Sequence, residues 1–178
     1  MPNTPQTQDL ISFLRRLRAV RTFRPDPVPE AALNDMLEVA RWSGSAMNRQ
    51  PWQIVVITDE QIRRTLGNLE GYVKHVAGAP LAIVLVMEGE DDANAYDEGR
   101  LAERIMLAAA AHGVGSCIGW FASAAQDEAK QVLKVPAGYH ARTIIAVGYP
   151  TEEAQQTHSK PGEARKPLSE IVHINQFG

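Results

Sequence analysis

Five arginines crowd into a ten-residue stretch near the N-terminus of a chain whose formal net charge is −3. They are Arg15, Arg16, Arg18, Arg21 and Arg24. A guanidinium group donates in a planar fork, which suits a phosphate or the electron-rich edge of a planar heterocycle. The alternative is the solvated face of an amphipathic helix, where most charge runs lie. The spacing leaves both interpretations open. A third possibility, binding of the predicted helix to a membrane surface, is less favoured than either because the apolar face of that helix is short.

A second group of candidate binding residues lies in a loop ahead of an apolar run at 54–57. The loop consists of the nine residues 43–51, which follow a helix-like pattern that ends at Trp42, whereas a helix-to-strand connection usually needs about two to six. The loop is rich in small and amide side chains and ends in a rigid proline: Ser43, Gly44, Ser45, Asn48, Gln50 and Pro51. So many hydrogen-bonding groups beside a buried strand call for a functional explanation.

The stretch "GVGSCIG" at 113–119 invites two active-site interpretations, and its spacing excludes both. A dinucleotide fingerprint needs glycine at its sixth position, directly after a strand, but Ile118 stands there and a helix precedes the stretch. A nucleophile at Ser116 would need glycine at 114, where the chain has valine. We therefore expect neither a Rossmann phosphate site nor a serine nucleophile.

The histidines and the one cysteine also favour structural roles. No two histidines are spaced as a metal-ligand pair or as part of a triad. A single cysteine, Cys117, excludes an internal disulfide and predicts a small buried hydrophobe in an apolar strand. We expect His112, near a helix C-terminus, to interact with the helix dipole. The five histidines are His75, His112, His140, His158 and His173.

Hydrophobic periodicity predicts helices that alternate with about four strands. This alternation fits an α/β or an α+β fold with a covered sheet, and it leaves the strand order open. The segment "EGEDDANAYDEG" at 88–99 is predicted to be an acidic loop. Helices are predicted at 9–18, at 30–42, after a cap at Asp59, at about 96–112, and from a Ser123–Gln126 capping box to Leu133. Strands are predicted at 53–58, 81–87 and 141–150, and 114–121 is predicted to be a short strand that opens into a loop.

Length and composition predict one globular domain. The chain has 178 residues, of which 44% are hydrophobic and 22% charged. The net charge of −3 argues against a nucleic-acid partner. The start "MPNTPQTQDL" has no signal-peptide pattern, and the longest apolar runs are too short to span a membrane. We therefore expect a cytoplasmic protein without a membrane partner.

Three segments together resemble the FMN-dependent nitroreductase family. They are "LRAVRTF" at 17–23, "VPEAALNDMLEVARWSGSAMNRQPWQIVVIT" at 28–58 and "DEGRLAERIMLAAAAHGVGSCIGWF" at 97–121, followed by "VGYP" and "RKPLSEIV". The resemblance implies an α+β fold with a central, mostly antiparallel sheet of about four to five strands flanked by helices. It also implies an intertwined homodimer, with one FMN-binding domain across 1–178 that ends in an extended segment, 151–178.

The resemblance also implies where FMN binds, at a site shared between two subunits. The loop at 44–48 would lie against the flavin bound mainly by the other subunit. Arg21 would face the pyrimidine edge of the ring, and Arg165 with Lys166 would clamp the phosphate. The implied cofactor-binding residues are Arg18, Ala19, Arg21, Gly44, Ser45, Ala46, Asn48, Gln50, Ile118, Gly119, Trp120, Arg165 and Lys166, with no catalytic side chain and no metal.

Two departures from the family pattern affect this site. Leu17 and Ala19 stand where the family commonly has arginine and serine, which shifts phosphate binding towards Arg16 or Arg165. Gly44 replaces the usual proline before Ser45, and we expect this exchange to loosen the loop.

The activity that the resemblance implies is reduction of small acceptors by NADH or NADPH through FMN. Two electrons would reach a nitroaromatic, a quinone or a similar acceptor by a ping-pong mechanism, with the flavin carrying the chemistry. One alternative keeps the fold and makes the protein a flavin reductase or an ene-reductase. Another alternative is a flavin-binding protein for storage or sensing, without useful turnover.

Overall fold

Four strands form one antiparallel sheet at the centre of the protein, in the order β1-β2-β4-β3. The computed structural model describes residues 5–89, 91–156 and 165–177. The inner strand β2 is apolar up to Met87 and the inner strand β4 is apolar over 144–147, because helices cover both faces of the sheet. The strands are β1 (Trp52–Ile57), β2 (Leu81–Glu88), β3 (Gly115–Trp120) and β4 (Tyr139–Gly148).

Six α-helices are present in the described residues, together with three short 3-10 helices. They confirm the predicted α+β class and the predicted number of strands. The α-helices are α1 (Pro5–Arg16), α2 (Glu30–Arg41), α3 (Glu60–Gly67), α4 (Asp92–Ala111), α5 (Ser123–Leu133) and α6 (Glu152–Gln156); the 3-10 helices are Ala46–Asn48, Lys74–Val76 and Leu168–Glu170. None of the helices in the described ranges is both long and apolar enough to cross a membrane.

The core has two halves, one on each face of the sheet. Alternate residues of β2 enter opposite halves, as the two-residue period of a strand requires. One half joins α2 and α4 to the sheet through Met36, Leu101, Ile105, Ile83, Leu85 and Ile145. The other half joins α3, α5 and the segment between α3 and β2 to the sheet through Leu66, Ala129, Val73, Val84, Phe121 and Ile144.

Helix α4 begins earlier than the sequence predicted. The Asp91 carboxylate accepts a hydrogen bond from the backbone N–H of Asn94 at 2.7 Å, which caps the helix. The predicted acidic loop is therefore wrong from Asp92 onwards, while Glu90 lies outside the described residues. The cap predicted at Asp59 is confirmed, since its carboxylate accepts from the Ile62 N–H at 2.9 Å.

The capping box predicted for α5 is wrong. Ser123 is the first residue of the helix, and the cap position belongs to Ala122, which has no side chain that could accept. Gln126 instead donates from Nε2 to the carbonyl oxygen of Phe121 at 3.4 Å. Residues 157–164 of the C-terminal segment, which include His158, lie outside the described residues.

Among the described residues, two segments expose several large apolar side chains each. One is the face of α1 that carries Leu10, Ile11 and Leu14. The other is the C-terminal segment, with Leu168, Ile171, Val172, Ile174 and Phe177. Apolar surface of this extent usually marks an interaction site.

Candidate functional site

The arginine segment leaves α1 at Arg16 and runs alongside β3. The backbone N–H of Val20 donates to the Ser116 carbonyl at 2.9 Å, and Ala19 forms a parallel bridge with Ser116. Gly115 permits this approach, because a Cβ there would lie 2.7 Å from Cγ2 of Val20. Since Val20 is buried, its neighbours Ala19 and Arg21 face outward.

A cavity of about 520 Å³ gathers four arginines from the two ends of the chain. Arg165, in the C-terminal segment, lies across it from the arginines that follow α1, whereas its neighbour Lys166 is exposed and is not part of the lining. Arg18 is oriented by two hydrogen bonds from Nη1, to the carbonyls of Arg15 at 2.8 Å and Leu17 at 2.7 Å. The lining residues are Ser12, Leu14, Arg15, Arg16, Leu17, Arg18 and Arg165. This concentration of positive charge can bind a phosphate.

A second cavity, of about 300 Å³, joins Arg16 and Arg18 to the start of β3. Ser116 lines it, and its hydroxyl is buried without a hydrogen-bond partner among the described residues. A buried hydroxyl without a partner is unfavourable unless a ligand or water supplies the missing bond.

Arg21, Tyr72 and Trp120 form a layered contact at the end of β3. The Cζ atom of Arg21 lies 5.5 Å from the centre of the Tyr72 ring, within the range of a cation–π interaction. The Tyr72 and Trp120 rings stack with centroids 4.9 Å apart and planes inclined by 24°. Both rings keep a large exposed fraction, 40% for Tyr72 and 51% for Trp120. The layer offers a flat aromatic surface beside a fixed positive charge.

Backbone contacts fix this layer in place. The N–H of Tyr72 donates to the Trp120 carbonyl at 2.9 Å, and Gly71 bridges to Phe121. A Cβ at position 119 would overlap the Tyr72 carbonyl oxygen, so only glycine allows the two segments to meet there. The sequence drew attention to Trp120 and Gly119 but not to Tyr72, which has no motif of its own.

Two titratable groups lie beneath the layer, and both are kept uncharged. Burial lowers the pKa of His75, whose Nε2 lies 3.4 Å from the Cys117 carbonyl, and the charge of Arg21 lowers it further. Burial raises the pKa of the Cys117 thiol, which confirms the predicted small buried hydrophobe. The ring is therefore neutral and the thiol protonated at pH 7, which disfavours a thiolate nucleophile.

The loop at 44–50 is held in an unusual backbone conformation. Met47, Asn48 and Gln50 have φ angles of 52°, 56° and 52°, in the left-handed region that non-glycine residues rarely adopt. The Ser45 hydroxyl accepts from the Gln50 N–H at 2.8 Å and closes the loop. Left-handed residues held by surrounding contacts cluster at ligand-binding sites.

Contacts from α4 anchor the start of this loop. The N–H of Ala46 donates to the Asp97 carboxylate at 3.2 Å, and Asp97 pairs with Arg100 at 3.3 Å. Farther along, Arg49 pairs with Asp91 at 3.7 Å. Asp97 and Arg100 belong to a segment that carried the family resemblance, but no local pattern distinguished them from other polar residues of a helix.

The predicted cofactor residues therefore fall into three groups in the folded chain. Arg18 and Arg165 share a cavity, and Arg21 lies beside the layer that includes Trp120. The start of the loop contacts α4 through Gly44 and Ala46. The cofactor roles assigned to these residues stay predictions. Among the described residues, no group of three or more histidine, cysteine, aspartate or glutamate side chains is arranged to hold an ion.

Comparison with known proteins adds family matches that together extend over most of the chain. The model of the "Nitroreductase family" matches residues 14–71, and that of the "Putative TM nitroreductase" family matches residues 67–177. An NADH dehydrogenase from Thermus thermophilus is 30% identical, over 87% of this chain and 90% of that protein. A chloronitrobenzene nitroreductase from Comamonas testosteroni is 40% identical over 81 residues, which cover 45% of this chain and 33% of that enzyme.

The fold also matches solved structures. An FMN-dependent nitroreductase from Clostridium difficile R20291 superposes with a TM-score of 0.83 at 26% identity, over 94% of this chain and 99% of that chain. A nitroreductase A from Vibrio parahaemolyticus has a TM-score of 0.81 at 21% identity, over 94% of this chain and 76% of the other, a likeness of fold alone.

Proposed function

Since this chain belongs to the nitroreductase family and is an oxidoreductase, we propose that it binds FMN and transfers electrons from NADH or NADPH to small acceptors. The observation that carries the proposal is the convergence of Arg16, Arg18 and Arg165 on one cavity. These three guanidinium groups suit a single phosphate monoester. The unpartnered Ser116 hydroxyl in the adjoining cavity suits a polar ligand that extends from the phosphate towards β3.

The residues present fit FMN in three parts. Arg18 and Arg165 would hold the phosphate, with Arg16 in place of the arginine that the family commonly has at position 17. Arg21 would face the pyrimidine edge of the ring, where negative charge develops on reduction. The backbone N–H groups of Ile118–Trp120 would lie towards the reactive ring nitrogen. FMN supplies two-electron transfer in a ping-pong sequence, while these residues bind, orient and electrostatically tune it.

The exposed aromatic layer favours planar acceptors, such as nitroaromatics and quinones, as the substrates of the proposed enzyme. Trp120 and Tyr72 present stacked rings to solvent near the proposed flavin ring. Aromatic ligands stack favourably on such surfaces in offset geometry. Flavin reductase and ene-reductase activities on the same site remain the alternative enzyme functions, and flavin storage or sensing is the alternative without turnover.

The test of the activity is NADH and NADPH consumption by the purified protein, with and without nitrofurazone. We expect a yellow protein that either nicotinamide bleaches, with colour restored by the acceptor. A yellow protein that neither nicotinamide bleaches would instead support the storage or sensing function. An acceptor panel under single-turnover conditions then separates nitroaromatics, quinones, free flavin and enones.

We predict that the bound flavin is FMN and not FAD. The arginine cavity offers one phosphate clamp, and the sequence lacks the glycine fingerprint for a pyrophosphate. Mass spectrometry of the cofactor released by denaturation measures the identity directly. Recovery of FAD would contradict the proposed cofactor and the role of the clamp.

We also propose that the active protein is a homodimer with shared sites. The exposed apolar faces of α1 and the C-terminal segment suit burial in a subunit interface. Within one subunit the loop at 44–50 packs on α4, while the arginines lie beside β3. A second copy would bring its loop to the flavin held by the first.

We predict that flavin binding and dimerisation are linked. A single subunit would hold only part of the site, so dilution to monomer should release flavin. Light scattering and flavin fluorescence, measured over a dilution series, follow the two events together. A monomer that retains its flavin at low concentration would rule out the shared site.

A further inference from the structure

Gly44 lies directly against the guanidinium group of Arg100, which extends from α4. A Cβ at position 44 would overlap Nη2 of Arg100 and lie 3.2 Å from its Cζ. The space beside Gly44 is thus filled by a side chain from another element. Glycine itself restrains its backbone little, so position 44 depends on its surroundings for a fixed conformation.

The Asp97 carboxylate links Arg100 to the next part of the same loop. Its Oδ1 pairs with Nη1 of Arg100 at 3.3 Å, and its Oδ2 accepts from the backbone N–H of Ala46 at 3.2 Å. Asp97 is only 3% exposed, so both interactions are shielded from water on the carboxylate side. Hydrogen bonds to a charged, buried acceptor are stronger than those between neutral groups.

We propose that Asp97 and Arg100 are positioning residues that hold the loop at 44–46 in its flavin-binding conformation. Arg100 fills the space beside Gly44, and Asp97 fixes both Arg100 and the Ala46 N–H. The pair replaces, through tertiary contacts, the restraint that a proline at position 44 would provide. This inference rests on the proposed function, because the loop is assigned to FMN.

The restraint matters because the residues that follow are left-handed. Met47, Asn48 and Gln50 keep positive φ angles only while contacts on either side hold them. The Ser45–Gln50 hydrogen bond closes the far side of the loop, and the Asp97–Arg100 pair anchors the near side. Loss of the near anchor frees the backbone of Gly44 and Ser45 and raises the entropic cost of binding.

The first experiment measures FMN affinity for the full chain by fluorescence titration. Asp97→Ala should raise the Kd about ten- to a hundredfold, the equivalent of one hydrogen bond to a charged group. Asp97→Asn keeps an acceptor for Ala46 and should recover part of the affinity. Glu103→Gln, an exposed charge change on the same helix, is the matched control and should bind as the wild type does.

The outcomes separate this inference from the proposed function. If the wild type does not bind FMN, the proposed function is wrong, and the inference falls with it. If the wild type binds FMN and Asp97→Ala binds it equally well, the positioning role alone is wrong. The visible spectrum of bound flavin distinguishes a displaced loop from general instability, because the Asn variant should restore the wild-type band shape.

A double-mutant cycle tests the contact without removing the buried carboxylate. Gly44→Ala places a methyl group where the Arg100 guanidinium lies, so it should weaken FMN binding by displacing Arg100 from Asp97. In an Arg100→Ala background the methyl group has free space, and the same substitution should cause no further loss. An equal loss in both backgrounds, or no loss in either, would overturn the inference.

Discussion

Replacing Arg142 with alanine is expected to lower the free energy of unfolding by about 3 kcal/mol. Nη2 of Arg142 on β4 forms an ion pair with the Glu98 carboxylate on α4, where Glu98 is only 2% exposed. Removal of one partner leaves a buried charge uncompensated, which typically costs about 3–5 kcal/mol. The lower end applies because the Arg142 side chain is itself 43% exposed, so water reaches its side of the pair.

Chemical denaturation in urea measures this loss, and two variants control it. In a Glu98→Gln background the buried charge is absent, so Arg142→Ala should cost only about 1 kcal/mol. Arg64→Ala removes an exposed ion pair with Glu60 and should cost no more than about 0.5 kcal/mol. If Arg142→Ala and Arg64→Ala lower the free energy of unfolding equally, the ion pair between Arg142 and Glu98 does not stabilise the fold more than an exposed pair does.

The sheet could be predicted from the sequence because its strands are encoded locally. The run at 81–87 is apolar throughout, and the run at 141–150 is apolar over 144–147. Such runs are typical of strands covered on both faces, and both are inner strands of the sheet. The strand order could not be predicted in the same way. It depends on which runs pair across the chain, and β4 lies between β2 and β3 although it comes last in sequence.

The start of α4 escaped prediction because polar residues interrupt its apolar stripe. Asn94, Asp97 and Glu98 are all buried in its first two turns, where the helical period calls for apolar side chains. Each is buried for a tertiary reason: Asn94 donates to the Glu88 carbonyl, Asp97 holds the loop and Glu98 pairs with Arg142. The local hydrophobic pattern cannot predict such contacts, because their partners lie outside the helix.

The capping box of α5 failed for a related reason. Ser123 and Gln126 have the right spacing, but the backbone entering the helix is already fixed by a neighbouring segment. The N–H of Ala122 donates to the Glu70 carbonyl at 2.9 Å, and Ala122 takes the cap position. A tertiary hydrogen bond has therefore overridden a local sequence preference.

The candidate site likewise contains residues that the sequence could reveal and residues that it could not. The arginines and the long polar loop could be found from residue type and spacing, since guanidinium forks and excess amides are visible in the chain itself. Tyr72 and Arg100 could not, because their importance lies in what they contact: the Trp120 ring for one and the space beside Gly44 for the other. Such partners are distant in sequence and meet only in the folded protein.

Arg21 provides the sharpest test of the proposed site, through the redox potential of the bound flavin. A permanent positive charge beside the ring edge that becomes anionic on reduction binds reduced flavin better than oxidised flavin. Arg21→Ala would remove the charge-assisted hydrogen bond that we propose between Arg21 and the flavin, and such a bond is worth about 1.5–3 kcal/mol. If that loss falls mainly on the reduced form, the midpoint potential should drop by about 30–60 mV, at about 30 mV for each 1.4 kcal/mol in a two-electron couple.

Arg24 is the matched control, because its guanidinium also lies over a tyrosine. Its Cζ is 5.2 Å from the Tyr149 ring centre, close to the 5.5 Å between Arg21 and Tyr72. Each alanine variant loses one exposed cation–π contact, worth about 0.5–1 kcal/mol of stability. Only Arg21→Ala should shift the potential, because Arg24 pairs with Asp26 at 3.3 Å and has no predicted flavin contact. If a redox titration finds Arg21→Ala with its flavin and its potential intact, Arg21 does not bind the flavin, and the N-terminal part of the site is wrong.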